Sequence, residues 1–155
     1  MDSATETTAV ERELAIEASP EAVWDFLVDP DKATRWMGQN ATFEPQPGGL
    51  YRVEVTPGNI AVGEFVELDR PRRLVFTWGW EPGGQGTLAP GSSTVEIELL
   101  PNDEGTTLRF RHHGLPSEEA AQSHAHGWDH YLKRLVLAAR GDDPGRDPWI
   151  DGAMT

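Results

Sequence analysis

The chain is 155 residues long, and its 26 acidic against 13 basic side chains give a formal net charge of −13 at neutral pH. A surplus of this size disfavours binding to nucleic acid and to anionic membrane surfaces, because both carry negative charge. Hydrophobic residues make up 37% of the chain and charged residues 25%, which is typical of one globular domain. The acidity is explained by solubility, and a salt-rich cytoplasm is the alternative interpretation.

The chain contains no cysteine, which excludes a disulfide framework and cysteine-ligated metal sites. Its N-terminal stretch up to Glu13 is polar and acidic, without the basic start and apolar core of a signal peptide. No apolar run approaches the length of a membrane-spanning helix. These features predict a cytoplasmic protein without membrane insertion, in which residues 1–9 are disordered.

The first predicted elements are a strand and two short helices. Alternating apolar residues predict a strand over residues 10–18. Ser19-Pro20-Glu21 is a strong helix start, because it combines an N-cap, a proline at the first helical position and an acid. That helix ends at Asp29-Pro30, and a second short helix is expected over residues 31–35.

Turns rich in glycine, proline and asparagine then separate a series of strands. Strands are expected around Phe43 and over residues 50–56, 60–68, 72–80, 94–100 and 106–113. The last two form a hairpin, and a glycine-rich loop over residues 81–92 precedes it. Residues 141–155 form a tail in which Trp149 and Ile150 are candidates for docking on the surface.

A long amphipathic helix predicted over residues 117–140 is the most informative element. At 100° per residue, its apolar face consists of Ala121, His124, Ala125, Trp128, Leu132, Leu135, Val136 and Ala139. Ser117 provides the N-cap, and Gly141 ends the helix. A helix about 35 Å long needs a large apolar partner, which the strands provide.

The order of these elements predicts an α+β fold with a curved antiparallel sheet of about six to seven strands. The sheet is expected to wrap around the long helix, so that residues 10–140 form one domain. A helix that lies across a curved sheet encloses space, and a ligand-binding site is expected there.

Strand alternation and helical periodicity predict which side chains face this space. Phe76 and Trp78 face it from the sheet and Trp128 from the helix, where they are candidates for stacking on a ligand. His112 continues the apolar face of its strand, and His124 lies at the edge of the apolar helix face. Both histidines are candidates for polar recognition of a ligand.

Glu64 interrupts the apolar stripe formed by Ile60, Val62, Val66 and Leu68. A buried carboxylate is costly unless it is paired or solvated. Three interpretations therefore stay open: an ion pair with Arg52 or Arg109, a polar anchor inside a ligand cavity, or a β-bulge that reverses the parity of the strand.

His126 and His130 have a spacing that suits two metal ligands on adjacent helical turns. That helix face is expected to face solvent, and no third ligand is evident, so no metal site is predicted. The sequence contains no phosphate-binding loop, dinucleotide fingerprint or Gly-x-Ser-x-Gly elbow. No cofactor and no catalytic residue is predicted.

Several segments resemble one family. They are ASPEAVWDFL at residues 18–27, DPDK at 29–32, RWM at 35–37, GEFVEL at 63–68, PRRLVFTW at 71–78, HGLP at 113–116 and Gly127-Trp128. Together they resemble SRPBCC proteins of the type related to the activator of the 90 kDa heat-shock protein ATPase, over about residues 10–140.

The resemblance implies a helix-grip fold, in which a curved sheet grips a C-terminal helix and a hydrophobic cavity lies between them. Family members bind lipids, sterols, polyketides or hormones, some are cyclases, and a eukaryotic branch stimulates a chaperone ATPase. No residue of this chain matches a catalytic motif of the enzymatic branches.

Three functions are compared on this basis. The first is a binding protein, monomeric or homodimeric, that holds a small hydrophobic or amphipathic molecule in the cavity. The second is a cyclase- or hydrolase-like enzyme that uses Glu64 with His112 or His124 as an acid–base pair. The third is an interaction protein that regulates a chaperone ATPase. We expect the first, and a solid core beneath Trp128 would remove its basis.

Overall fold

The structure is a computed structural model that describes residues 8–84 and 88–151. The disorder predicted for residues 1–9 falls mostly outside the described residues, as do the middle of the loop predicted over residues 81–92 and the end of the C-terminal tail. Among the described residues, no helix combines the length and the apolarity needed to cross a bilayer.

The elements follow the predicted order. They are β1 (Val10–Ile16), α1 (Pro20–Val28), α2 (Pro30–Ala33), β2 (Asn40–Phe43), β3 (Leu50–Thr56), β4 (Asn59–Asp69), β5 (Arg73–Trp78), β6 (Ser93–Asn102), β7 (Gly105–His113), α3 (Glu118–Ala139) and a 3₁₀ turn (Pro148–Asp151). The two predicted helix N-caps are confirmed. The hydroxyl of Ser19 accepts a hydrogen bond from the Ala22 amide, and that of Ser117 accepts one from the Ala120 amide.

The seven strands form one antiparallel sheet in the order β1-β7-β6-β5-β4-β3-β2. This arrangement confirms the predicted α+β helix-grip fold. The apolar core lies on the face of the sheet that meets α3, as predicted for Leu74 and Phe76 in β5, Ile97 in β6, and Leu108 and Phe110 in β7. The opposite face carries cross-strand ion pairs.

The predicted inward face of β4 is wrong as far as Val66, whereas Leu68, beyond a bulge in the strand, packs against the core as predicted. Phe65 is fully buried, whereas Val66 is 50% exposed and Glu64 points to solvent. The pairing of β4 with β5 shifts register between Phe65 and Glu67, which is the bulge that the sequence left open. The hydropathy pattern gave the wrong face because one inward position of β4 is a glycine. A Cβ added at Gly63 would lie 1.9 Å from the Thr77 carbonyl oxygen, so a larger residue does not fit there.

Helix α3 buries one long face against the sheet. The buried side chains are Ala121, Trp128, Tyr131, Leu132, Leu135 and Ala138, of which Tyr131 and Ala138 were not predicted. The face expected to be fully exposed is partly covered by the C-terminal tail. Arg134 donates hydrogen bonds to the carbonyl oxygens of Pro144 and Gly145, which hold the tail along the helix.

Candidate functional site

A cleft of about 820 Å³ lies between the N-terminal half of α3 and one end of the sheet. This volume falls within the range of small-molecule binding pockets, about 300–1,000 Å³. Its principal lining residues are Thr56 and Asn59 at the β3–β4 turn, Trp78, Trp80 and Leu88 at the end of β5 and in the loop after it, Ala120, Ser123, His124, Gly127, Trp128 and Tyr131 in α3, and Trp149 in the tail.

Three indoles form much of the cleft wall. The ring centroids of Trp78 and Trp128 are 4.9 Å apart, and Trp80 meets Trp78 edge to face at 5.4 Å. Trp128 also packs on Phe110, with centroids 4.7 Å apart. The wall is therefore aromatic and held in place by contacts between its own rings.

His112 is fully buried behind the wall, and both of its ring nitrogens have partners. The hydroxyl of Ser93 donates to the Trp78 carbonyl oxygen at 2.7 Å and so must accept from His112 Nε2 at 2.7 Å. The indole N–H of Trp128 donates to His112 Nδ1 at 3.0 Å. These bonds select the neutral tautomer protonated on Nε2.

The environment of His112 keeps the imidazole neutral. Burial, together with smaller effects of the neighbouring His124 and His113, lowers its pKa to about 3. With one nitrogen donating and the other accepting inside the core, His112 holds the Trp78 strand end, Ser93 and Trp128 together. It has no lone pair left for proton transfer to a ligand.

His124 forms a second tryptophan–histidine pair at the cleft surface. Its Nδ1 donates to the Ala120 carbonyl oxygen at 2.9 Å, and its Nε2 accepts the indole N–H of Trp80 at 3.2 Å. Burial lowers the pKa of His124, and the hydrogen bond to Ala120 only partly offsets this effect. The rings of His112 and His124 lie 5.1 Å apart.

Trp78 carries the one polar atom of this wall that lacks a partner among the described residues. Its side chain is 3% exposed, and its indole N–H is buried without a hydrogen bond there. The indoles of Trp80 and Trp128, by contrast, each donate to a histidine. A buried, unpaired N–H is costly, so this donor marks the inner wall as a place where an acceptor would be favourable.

The structure brings together most of the predicted site residues. Trp78, His124 and Trp128 line the cleft. His112 contacts both tryptophans from behind, with centroids 6.0 Å and 6.1 Å away. Phe76 lies in the adjoining core, where it stacks on Tyr51 at 4.1 Å.

Glu64 is the predicted site residue that the structure removes from the cleft, because the bulge in β4 turns its side chain to solvent. The two proposed ion-pair partners are engaged elsewhere, Arg52 with Glu81 and Arg109 with Glu13. The predicted acid–base pair of Glu64 with a histidine is therefore not assembled.

Sequence reasoning missed the cluster that closes one end of the cleft. Asp147 is 2% exposed and accepts hydrogen bonds from the Tyr131 hydroxyl at 2.7 Å, from His130 Nε2 at 2.8 Å and from the Trp149 amide at 3.0 Å. Burial raises the pKa of Asp147, but these hydrogen bonds outweigh it and hold the pKa below its ordinary value. The signal in the sequence was Tyr131, which is three residues after Trp128 on the helix.

Trp149 itself stacks on His130, with centroids 3.8 Å apart and planes 7° from parallel. It also contacts His126 at 5.2 Å. The two histidines considered as metal ligands thus form the platform for the tail. Among the described residues, no three histidine, aspartate or glutamate side chains are grouped for metal binding.

Comparison with known proteins agrees with this architecture. The family model described as "Activator of Hsp90 ATPase homolog 1-like protein" (AHSA1) matches residues 17–139. The chain belongs to this AHSA1-like family. Among curated proteins, no sequence matches the chain.

Solved structures of AHSA1-like and related proteins share the fold. The AHSA1-like protein of Rhizobium etli is 46% identical, with a TM-score of 0.72 over 91% of this chain and 87% of that one. CalU16 from Micromonospora echinospora is 28% identical, with a TM-score of 0.71 over 94% of this chain and 71% of that one. DynU16, a protein encoded in the dynemicin biosynthetic locus, is 25% identical, with a TM-score of 0.75 over 90% of this chain and 50% of that one.

Proposed function

We propose that this AHSA1-like protein binds a small hydrophobic or amphipathic molecule in the cleft between the sheet and the N-terminal half of α3. The cleft beneath Trp128 is the observation that carries the proposal, because a solid core there would have excluded it. A cleft wall built largely from aromatic rings is suited to binding a small molecule without covalent chemistry. A cytoplasmic location and the oligomeric state remain predictions from the sequence.

The arrangement of polar groups favours binding over catalysis. The ring nitrogens of His112 and His124 are occupied by hydrogen bonds within the protein, and Glu64 lies on the other side of the sheet. General acid–base catalysis needs a group with a pKa near the working pH that reaches the ligand. Burial moves the pKa of both histidines away from that range.

One similar protein gives the proposal a chemical context. DynU16, which is 25% identical, is encoded in the dynemicin biosynthetic locus. A role in handling a small molecule is consistent with that biosynthetic setting.

Native mass spectrometry of protein purified from its own host tests the proposal. We expect a co-purifying small molecule that is released on denaturation. Ala120→Trp should abolish it, because Ala120 lines the cleft and an indole there would fill it. Gln122→Trp is the matched control, since Gln122 is exposed and two residues further along α3. Two results would contradict binding in this cleft: a folded wild-type protein that carries no molecule, or a co-purifying molecule that the Ala120→Trp variant still carries.

A further inference from the structure

Gly127 lies in the interior of α3, where glycine is unfavourable. The helix runs over Glu118–Ala139, and glycine in a helix interior costs about 1 kcal/mol relative to alanine. Gly127 does not have the positive φ angle that would require glycine, unlike Gly114 at 82° and Gly141 at 100° on either side of the helix. Backbone conformation therefore does not explain this residue.

Packing does not explain it either. A Cβ added at Gly127 would meet no atom within 4 Å, whereas one at Gly63 or Gly79 would lie less than 2 Å from a backbone oxygen. At those two positions glycine is required by the close approach of a neighbouring chain segment. At Gly127 the space that a side chain would fill is open.

That open space belongs to the cleft. Within α3, the cleft is lined at intervals of three to four residues by Ala120, by Ser123 and His124, by Gly127 and by Tyr131. Gly127 therefore lies in the middle of the helix stripe that faces the cleft. A side chain here would project into the volume available to a ligand, and its absence exposes the helix backbone as a flat surface.

The charges around the cleft restrict the ligand further. Among the described residues that line it, there is no lysine or arginine, and Glu119 is the one carboxylate. The other polar groups along it are uncharged, such as Thr56, Asn59 and Ser123, and beside the indoles lie the Trp78 N–H and the internally bonded His124. An anionic ligand would find no lysine or arginine among these residues to compensate its charge.

Resting on the proposed function, we infer that Gly127 determines the size of the ligand, and that the ligand is an uncharged, flat ring system lying over the helix at this position. The indoles of Trp78, Trp80 and Trp128 line the same cleft and favour stacking with such rings. The helix gives up stability at Gly127 to keep room for them.

Two dyes with the same rings test the inference. N-phenyl-1-naphthylamine is uncharged, and 8-anilino-1-naphthalenesulfonate adds one sulfonate. Binding is followed by dye fluorescence in about 0.5 M NaCl, where long-range repulsion by the net charge is screened. We expect the affinity for the uncharged dye to be at least about tenfold higher than the affinity for the sulfonate.

Substitutions at Gly127 separate ligand size from helix stability. Gly127→Leu should weaken binding of the uncharged dye by about tenfold or more, because the side chain occupies its place. Gly127→Ala should raise the melting temperature, since alanine is the better helix former. Gln122→Leu is the matched control on the exposed face and should leave dye binding unchanged.

The outcomes distinguish this inference from the proposed function. Equal binding of the uncharged dye by wild type and Gly127→Leu overturns the role of Gly127. Equal affinity for the two dyes overturns the inference that the ligand is uncharged. If neither dye binds but a co-purifying molecule is lost in Ala120→Trp, the proposed function stands and this inference is wrong. If no molecule co-purifies either, both are wrong.

Discussion

At the scale of single residues, two tryptophan–histidine hydrogen bonds hold the aromatic wall of the cleft in place. Trp128 donates to His112 and Trp80 donates to His124, and both imidazoles are kept neutral by burial. The two histidines that the sequence suggested for ligand recognition thus have their hydrogen-bond partners within the protein. Their role is to orient the aromatic rings that line the cleft.

Trp128 is expected to be the most sensitive of these residues. Trp128→Ala should lower the free energy of unfolding by about 3–5 kcal/mol, because it leaves a cavity beneath α3 and an unpaired His112 Nδ1. Trp128→Phe keeps a ring but removes the donor, so a smaller loss of about 1–2 kcal/mol is expected. Urea denaturation measures both, and Glu64→Gln on the exposed face is the control, expected within about 0.5 kcal/mol of wild type.

His112 is expected to make the protein acid-sensitive. Its pKa is about 3 in the folded state and about 6.5 when unfolded, so between these values the unfolded chain binds a proton that the folded protein does not. Stability is therefore fully present above pH 6.5 and is lost as the pH falls towards 3. The loss is on the order of a few kcal/mol, at about 1.4 kcal/mol per pKa unit.

The slope of the unfolding free energy against pH checks this prediction. His112→Gln removes the titrating group while keeping an amide that can donate towards Ser93, so its slope should be shallower than that of wild type. Parallel curves for the two proteins between pH 6.5 and 3 would show that His112 is not the group responsible.

At the scale of elements, the C-terminal tail completes the cleft. Helix α3 binds it at three places: Arg134 holds the carbonyl groups of Pro144 and Gly145, Tyr131 and His130 hold Asp147, and His130 stacks on Trp149. The tail is therefore part of the fold rather than an appendage, and Trp149 lines the cleft because of it.

Asp147→Ala should release this tail while the rest of the domain stays folded. The change removes the acceptor of three hydrogen bonds, each worth about 1.5–3 kcal/mol when the acceptor is charged. Hydrogen exchange of the segment 141–151 should accelerate by about tenfold or more, with unchanged exchange in the core of α3. Asp142→Ala, at an exposed carboxylate in the same tail, is the control. Unchanged exchange in Asp147→Ala would contradict the anchoring role.

At the scale of the whole molecule, charge and apolar burial are separated. The face of the sheet away from α3 pairs acids with arginines across strands, as in Glu13 with Arg109 and Glu11 with Arg111. Exposed pairs of this kind contribute little each, about 0–1 kcal/mol. With 26 acidic and 13 basic side chains, half of the acids have no basic counterpart.

Added salt is therefore expected to stabilise the protein. Screening should reduce the repulsion among the surplus acids more than it weakens the exposed ion pairs. The melting temperature should rise between about 0.02 and 0.5 M NaCl, by roughly 2–4 °C for each kcal/mol gained. Calorimetry in NaCl and KCl measures this change. A melting temperature that falls with added salt would mean that the loss of ion pairs outweighs the reduced repulsion among the acids.

The sequence by itself determined the class of fold. Helix starts at Ser19 and Ser117 are local signals, because capping depends on residues within one turn. The long apolar face of α3 and the alternation in β5, β6 and β7 predicted the core and placed Trp78 and Trp128 together. The resemblance to the activator of the heat-shock ATPase, carried by short motifs along the chain, predicted the family that the comparison established.

Only the tertiary structure decided which polar residues reach the cleft. Glu64 faces solvent because β4 contains a bulge and small residues such as Gly63 occupy part of its inward face. Both features depend on how closely β5 approaches, which hydropathy alone does not encode. The site formed by Tyr131, Asp147 and Trp149 joins residues from α3 and a polar tail whose path is set by contacts distant in sequence. Local patterns thus specify elements and their buried faces, whereas register, bulges and tail docking follow from the packing of the whole chain.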